Sequence, residues 1–242
     1  MSTMRTAMIE EGELQLWVLS PRELDAAAQS CAGALAPHES DWAAAMPEGL
    51  GRRWRGRRAA LRTILSAYLG RPAPDIAIVP GAYGKPRLDA REGALQFNLS
   101  ESCGWMLAAF CPDQPVGVDL ELGRPDAGAW TVARRYFSEP ELAVLEAAER
   151  AGRLEAAFFR LWTRKEARLK VWGQGLRGLE ALAEEGLFTP ESRAWIEDLN
   201  PAMGVYGAVA LPLAPTWMRV RSYAELDALA SSLPGQAFER VL

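Results

Sequence analysis

The stretch VGVDLEL, Val116 to Leu122, constrains the fold more than any other part of the chain. Successive side chains of an extended segment point to opposite faces, so Val118, Leu120 and Leu122 share one face while Asp119 and Glu121 share the other. One side of such a strand must meet an apolar layer. The other side carries two carboxylates whose repulsion needs water or a cation to relieve it. Two acids at i and i+2 make half of a metal site.

A second stretch, WTRKEARLKVWGQGL from Trp162 to Leu176, has helical spacing, and Trp162, Glu166 and Lys170 fall at i, i+4 and i+8 on one stripe. Taken alone, Glu166 and Lys170 would be an ordinary surface pair worth ~0.2–0.5 kcal/mol. A third stretch, RRWRGRRAALR, places six arginines between Arg52 and Arg62 in a chain whose formal net charge is −4. Such a run is a solvated helix face, an RNA patch or a socket for a phosphate-rich small molecule. Carboxylate oxygens without histidine or thiolate suit Mg2+, which keeps waters and usually binds a substrate phosphate too. Acids, lysines and arginines together would neutralise a polyphosphate, which points to phosphoryl or phosphodiester transfer.

Composition narrows the alternatives. With 242 residues, 49% of them hydrophobic, the chain can bury a substantial core. No window approaches the ~20 apolar residues of a membrane span, and the N-terminal residues lack a basic segment followed by an apolar one, so a cytoplasmic protein is expected. Cys31, Cys103 and Cys111 are spaced unlike a disulfide or zinc framework, and the single histidine, His38, argues against a His-dependent mechanism.

Strands are expected at ELQLWVLS, DIAIV, ALQFNLS, WMLAAFC, VGVDLEL, GVYGAVALPL and MRVRSY. Helices are expected at RRAALRTILSAYLG, closed by Gly70 and Pro72, and through FSEPELAVLEAAERAGRLEAAFFRLWTRKEARLKVW, capped by Ser138, broken at Gly152 and ended by Gly173 and Gly175. A last amphipathic stretch is AELDALASSL. The chain divides into two comparable α/β halves, 1–115 and 116–242.

In order, the motifs YGKPRL, FNLSES, VGVDLE, FSEPE and WTRKEARLKVWGQGL resemble those of the Sfp-type 4'-phosphopantetheinyl transferases, over roughly Arg52 to Leu211. The resemblance implies an α/β (α+β) pseudo-dimer of two similar halves with the active site in the cleft between them. It implies Mg2+-dependent transfer of the phosphopantetheine arm of coenzyme A to a serine of an apo acyl or peptidyl carrier protein, releasing adenosine 3',5'-bisphosphate. Asp119, Glu121 and Glu166 would be the metal ligands. Glu166, directly or through a metal-bound water, would act as base for the carrier serine, and Lys170 would contact the phosphate and stabilise the departing group. Coenzyme A contacts would come from Arg53, Lys85, Ser100, Lys165 and Lys170. A monomer is expected, with neither a nucleic acid nor a membrane as partner.

One residue departs from the family pattern. Where the usual motif reads SHS, this chain reads SES, so Glu101 replaces a histidine that contacts a coenzyme A phosphate. An ionised carboxylate repels phosphate. Glu101 either turns towards an arginine, ligates the cation through water, or weakens coenzyme A binding; the rival reading is a degenerate homologue that serves as a carrier-protein scaffold.

Overall fold

The computed structural model describes residues 9–81, 84–124, 128–173, 178–180 and 194–232. Gly175 and the end of its motif lie outside them. A four-stranded sheet has the order β4 (Gln96–Ser102), β5 (Trp105–Cys111), β1 (Glu13–Leu19) and β9 (Trp217–Arg221). Its first three strands are antiparallel neighbours, and β9 lies parallel to β1. A three-stranded antiparallel sheet has the order β6 (Gly117–Leu122), β8 (Val205–Leu211), β7 (Trp195–Ala202). The pair β2 (Ile78–Pro80) and β3 (Pro86–Leu88) stands apart.

Helices α1 (Pro21–Ser30), α2 (Pro37–Ala44), α3 (Glu48–Leu69) and α7 (Tyr223–Ser232) belong to the larger sheet's side, and α4 (Ala129–Tyr136), α5 (Glu139–Arg150) and α6 (Leu154–Trp172) to the smaller sheet's side. Trp17, Leu19, Phe97 and Phe110 meet Leu61, Ile64 and Leu65 of α3 in one core. The opposite face of that sheet, through Leu14, Leu16, Leu107 and Ala109, packs on Val118, Leu120, Val205 and Val209 of the smaller sheet. Ala167 and Val171 of α6 cover the smaller sheet's outer face at Ala208 and Ala210. The result is helix, sheet, sheet, helix, each sheet burying both faces in the manner of a layered α/β domain.

Both long helices end on a glycine in the left-handed region, Gly70 at φ 63° after α3 and Gly173 at φ 63° after α6. That conformation is open to glycine without a steric penalty. Each sheet therefore packs one face against one long helix. At its C-terminal end the chain returns to the larger sheet: β9 pairs with β1, and Leu226 of α7 is buried in the core beneath it. The reason is the edge of β1, whose backbone groups need a partner that the first half alone does not supply.

Candidate active site

The two sheets meet along a seam where β4 faces β6, and the seam is made of side chains. Asn98 Oδ1 accepts from Val118 N at 2.8 Å, Ser100 Oγ from Leu120 N at 3.2 Å and Ser102 Oγ from Leu122 N at 3.1 Å. Three alternate residues of one strand satisfy three alternate amides of the other. The same hydroxyls donate in turn, Ser100 to Asp119 Oδ1 at 2.9 Å and Ser102 to Glu121 Oε2 at 2.8 Å. Asn98 and Ser100 thus sit within a strand rather than in the turn that their residue types favour by themselves. The hairpin from β4 to β5 turns through Cys103 and Gly104, both with positive φ, and so places Ser102 opposite Trp105.

Helix α6 reaches the same place because β6 begins with a glycine. A Cβ on Gly117 would collide with the Ala167 carbonyl and come within 2.6 Å of Val171 N, so β6 and α6 touch backbone to backbone. At that same contact, Lys170 donates to Asp119 Oδ1 at 2.6 Å and to Ser100 Oγ at 3.1 Å. Glu166 faces the same cluster, its carboxyl pushed up to about 7 by burial and by the charge of Asp119, with Lys170 opposing. Burial likewise raises the Asp119 and Glu121 carboxyls. Asp119 Oδ2 and Glu166 Oε1 are buried without a hydrogen-bond partner. Such orphans are costly in a folded protein and call for an explanation.

A hard cation would relieve both orphans. Among the described residues no three His, Cys, Asp or Glu side chains are gathered tightly enough to grip an ion as they stand. Lys170 is instead the cation on Asp119. The donor set nevertheless fits: all ligating atoms are carboxylate oxygens, two of them have no protein partner, and ions of the Mg2+ type complete their shell with water and substrate oxygen.

Lys165 corrects the expectation drawn from its motif. It is fully buried on another face of α6, where its ammonium meets Glu141 Oε2 at 2.8 Å, so it does not reach phosphates beside the acids. Adjacent helical residues point about 100° apart, and Lys165 therefore cannot share the stripe of Glu166. Glu141 also accepts from Ser138 N at 2.7 Å at the start of α5, and Ser138 occupies the expected cap position although its hydroxyl has no partner.

Lys85 donates to the carbonyls of Val116 at 3.0 Å and Lys170 at 2.5 Å, tying its loop to both β6 and α6. Burial, with the nearby Lys170 ammonium, draws its pKa down to about 8. Arg53 is exposed on α3, away from the acids' hydrogen bonds. One turn later Arg57 pairs with Glu101, which is the first of the three readings open for that residue. Arg58 and Arg62 both hold buried Glu39.

Residues 115–202 match the 4'-phosphopantetheinyl transferase superfamily. Part of the chain is similar to Sfp-type 4'-phosphopantetheinyl transferases. It is 36% identical over 148 residues to the 4'-phosphopantetheinyl transferase HetI of Nostoc sp., covering 60% of this chain and 61% of that protein. It is 33% identical to Sfp of Bacillus subtilis, over 48% of this chain and 50% of that one. With AcpT of Salmonella typhimurium the identity is 40%, over 52% and 62%. The chain thus spans between half and two thirds of the length of these phosphopantetheinyl transferases. The segment matching the superfamily contains β6, α6 and all three acids of the cluster.

Proposed function

We propose that the chain is a pseudo-dimeric enzyme of two halves, 1–115 and 116–242, that transfers the 4'-phosphopantetheine arm of coenzyme A to a serine of an apo acyl or peptidyl carrier protein. A hydroxyl oxygen of the carrier attacks the diphosphate phosphorus bearing the arm, and adenosine 3',5'-bisphosphate leaves. The observation that carries this reading is the pair of orphaned carboxylate oxygens on Asp119 and Glu166 beside the Lys170 ammonium.

Asp119, Glu121 and Glu166 would hold Mg2+, which when bound supplies positive charge to the diphosphate oxygens. Glu166 is also the base that takes the proton of the attacking serine, through the carboxylate oxygen not given to the cation or through a water held there. Lys170, freed from Asp119, donates to the departing phosphate and stabilises its charge. Ser100 keeps Asp119 oriented while Lys170 moves, since its hydroxyl is anchored on Leu120 N. Lys85 contributes by fixing the α6 terminus against β6 and presents less of its charge to a phosphate than its motif implies. Arg53, exposed on α3, adds positive potential at the pocket beside Ser100.

The test is intact-mass spectrometry of an apo acyl and an apo peptidyl carrier protein incubated with coenzyme A, Mg2+ and this protein. A gain of one phosphopantetheine mass, lost with Glu166→Ala or on chelating the metal, is the expected result. Absence of the gain with both carriers, together with no calorimetric binding of coenzyme A, would overturn the reading in favour of a carrier-protein scaffold.

A further inference from the structure

Between α3 and the end of β4 lies a pocket of ≈ 230 Å³ lined by Trp54, Arg57, Leu61, Leu99, Ser100 and Glu101 among others. Ser100 is one of its lining residues, and on the other face of β4 the Ser100 hydroxyl binds Asp119 and Lys170, so one strand separates the pocket from the acid cluster. Its floor is apolar and its cations lie on α3. Arg58 is committed to the buried Glu39 carboxylate at 2.5 Å. Arg57 is different, for among the described residues its ion-pair partner is the half-exposed Glu101 carboxylate. The two side chains are unequally placed: that of Arg57 is 18% exposed and that of Glu101 53%. The guanidinium belongs to the wall, and the carboxylate lies over it from the solvent side.

We infer that Glu101 sets the specificity of this pocket by competing with a phosphate of the nucleotide co-substrate for the Arg57 guanidinium. The inference rests on the transferase reading above. Glu101 stands on the face of β4 opposite Asn98, Ser100 and Ser102, so it takes no part in the seam and does not hold the acids. Its partner is an arginine whose planar fork suits phosphate as well as carboxylate. An ion pair with one half-exposed member is weak, and an incoming dianion can displace it. Arg53, one turn away on α3, adds to the field that attracts such an anion. The pocket is therefore self-capped: anions bind after Glu101 swings into solvent, and its negative charge lowers their affinity while it stays nearby.

Calorimetric titration of the full chain with adenosine 3',5'-bisphosphate tests this directly. E101Q is expected to lower Kd roughly three- to fivefold, the scale of one exposed ion pair, and to lose part of that gain as salt rises. In an R57Q background the same substitution is expected to bring no gain. An unchanged Kd in E101Q would overturn the inference, and so would a weaker one, since the carboxylate would then be positioning Arg57 for the ligand. A gain that persists without Arg57 would overturn it as well. Carrier modification by the wild-type chain, read by mass, tests the transferase reading separately: transfer without any E101Q effect retains that reading and loses the inference.

Discussion

Two buried groups of charge, one on each long helix, are satisfied to different degrees. Beside α3, Glu39 receives Arg58 and Arg62, and Arg62 also donates to the carbonyls of Ala73 and Ile76 at 2.5 and 3.0 Å. Beside α6, Asp119 and Glu166 each retain an oxygen without a partner. The first group is a closed network and fixes α2 and the short 3-10 turn Ala73–Asp75 to α3. The second keeps buried carboxylate oxygens available, at a cost that the surrounding framework must offset. Satisfied buried charge marks scaffold, and unsatisfied buried charge marks the place where another charge is to be received.

The largest effect should come from the open group. Glu166→Gln is expected to slow carrier modification ~10²–10³-fold while leaving the thermal midpoint unchanged or raised, because it removes a buried charge that lacks a partner. Rates by intact mass and a thermal melt check both halves of the statement. Glu39→Gln should do the reverse, destabilising by about 3–5 kcal/mol in denaturant titration while the folded fraction retains transfer. Loss of transfer out of proportion to folding would erase the distinction between the two groups.

Lys165→Met probes the same distinction within a single helix. It should destabilise by about 3–5 kcal/mol through the stranded Glu141 and leave the Kd for coenzyme A as it was, which a phosphate-contacting lysine would not. Acid offers a milder lever. Burial would raise the Glu39 carboxyl, but Arg62 and Arg58 outweigh it and hold its pKa below the ordinary 4.5. The group's stabilisation is thus present above pH 4.5 and lost as pH falls through the depressed folded value, so unfolding should need lower pH in the wild type than in a chain carrying Glu39→Gln. The smallest effect is expected for Ser102→Ala, about 0.5–1.5 kcal/mol, read as a small fall in the denaturant midpoint with a larger relative rise in the Mg2+ concentration needed for transfer, since Glu121 loses its donor.

The strands and helices that build the site were legible because their patterns are local: alternation in β4, β5, β6 and β8, and helical spacing closed by Gly70 and Gly173. Strand β7 was not, since Glu197, Asp198 and Pro201 interrupt alternation and the strand slips register between Leu199 and Ala202. Helix α1 carried its signal in Ser20 and Glu23, a capping box followed by a helical run, without an apolar stripe long enough to draw notice. The convergence of Asp119, Glu121 and Glu166 near Lys170 followed from motif order, whereas the burial of Lys165 depended on Glu141, 24 positions away. Its direction was nonetheless readable, because a residue next to Glu166 must leave the stripe. The Asn98, Ser100 and Ser102 seam is a contact between sheets, and no periodicity within one strand announces its partner.

That seam has a consequence for how the two halves can evolve. Strands joined by their backbones will pair with almost any sequence of suitable alternation, so such a junction tolerates drift on either side. Here β6 offers ordinary amides, and the acceptors that receive them are three side chains of β4, set beside the apolar contacts of Val118 and Leu120. The junction is therefore asymmetric in its hydrogen bonds: the amides of β6 survive any substitution except proline, while each acceptor on β4 depends on the residue at 98, 100 or 102.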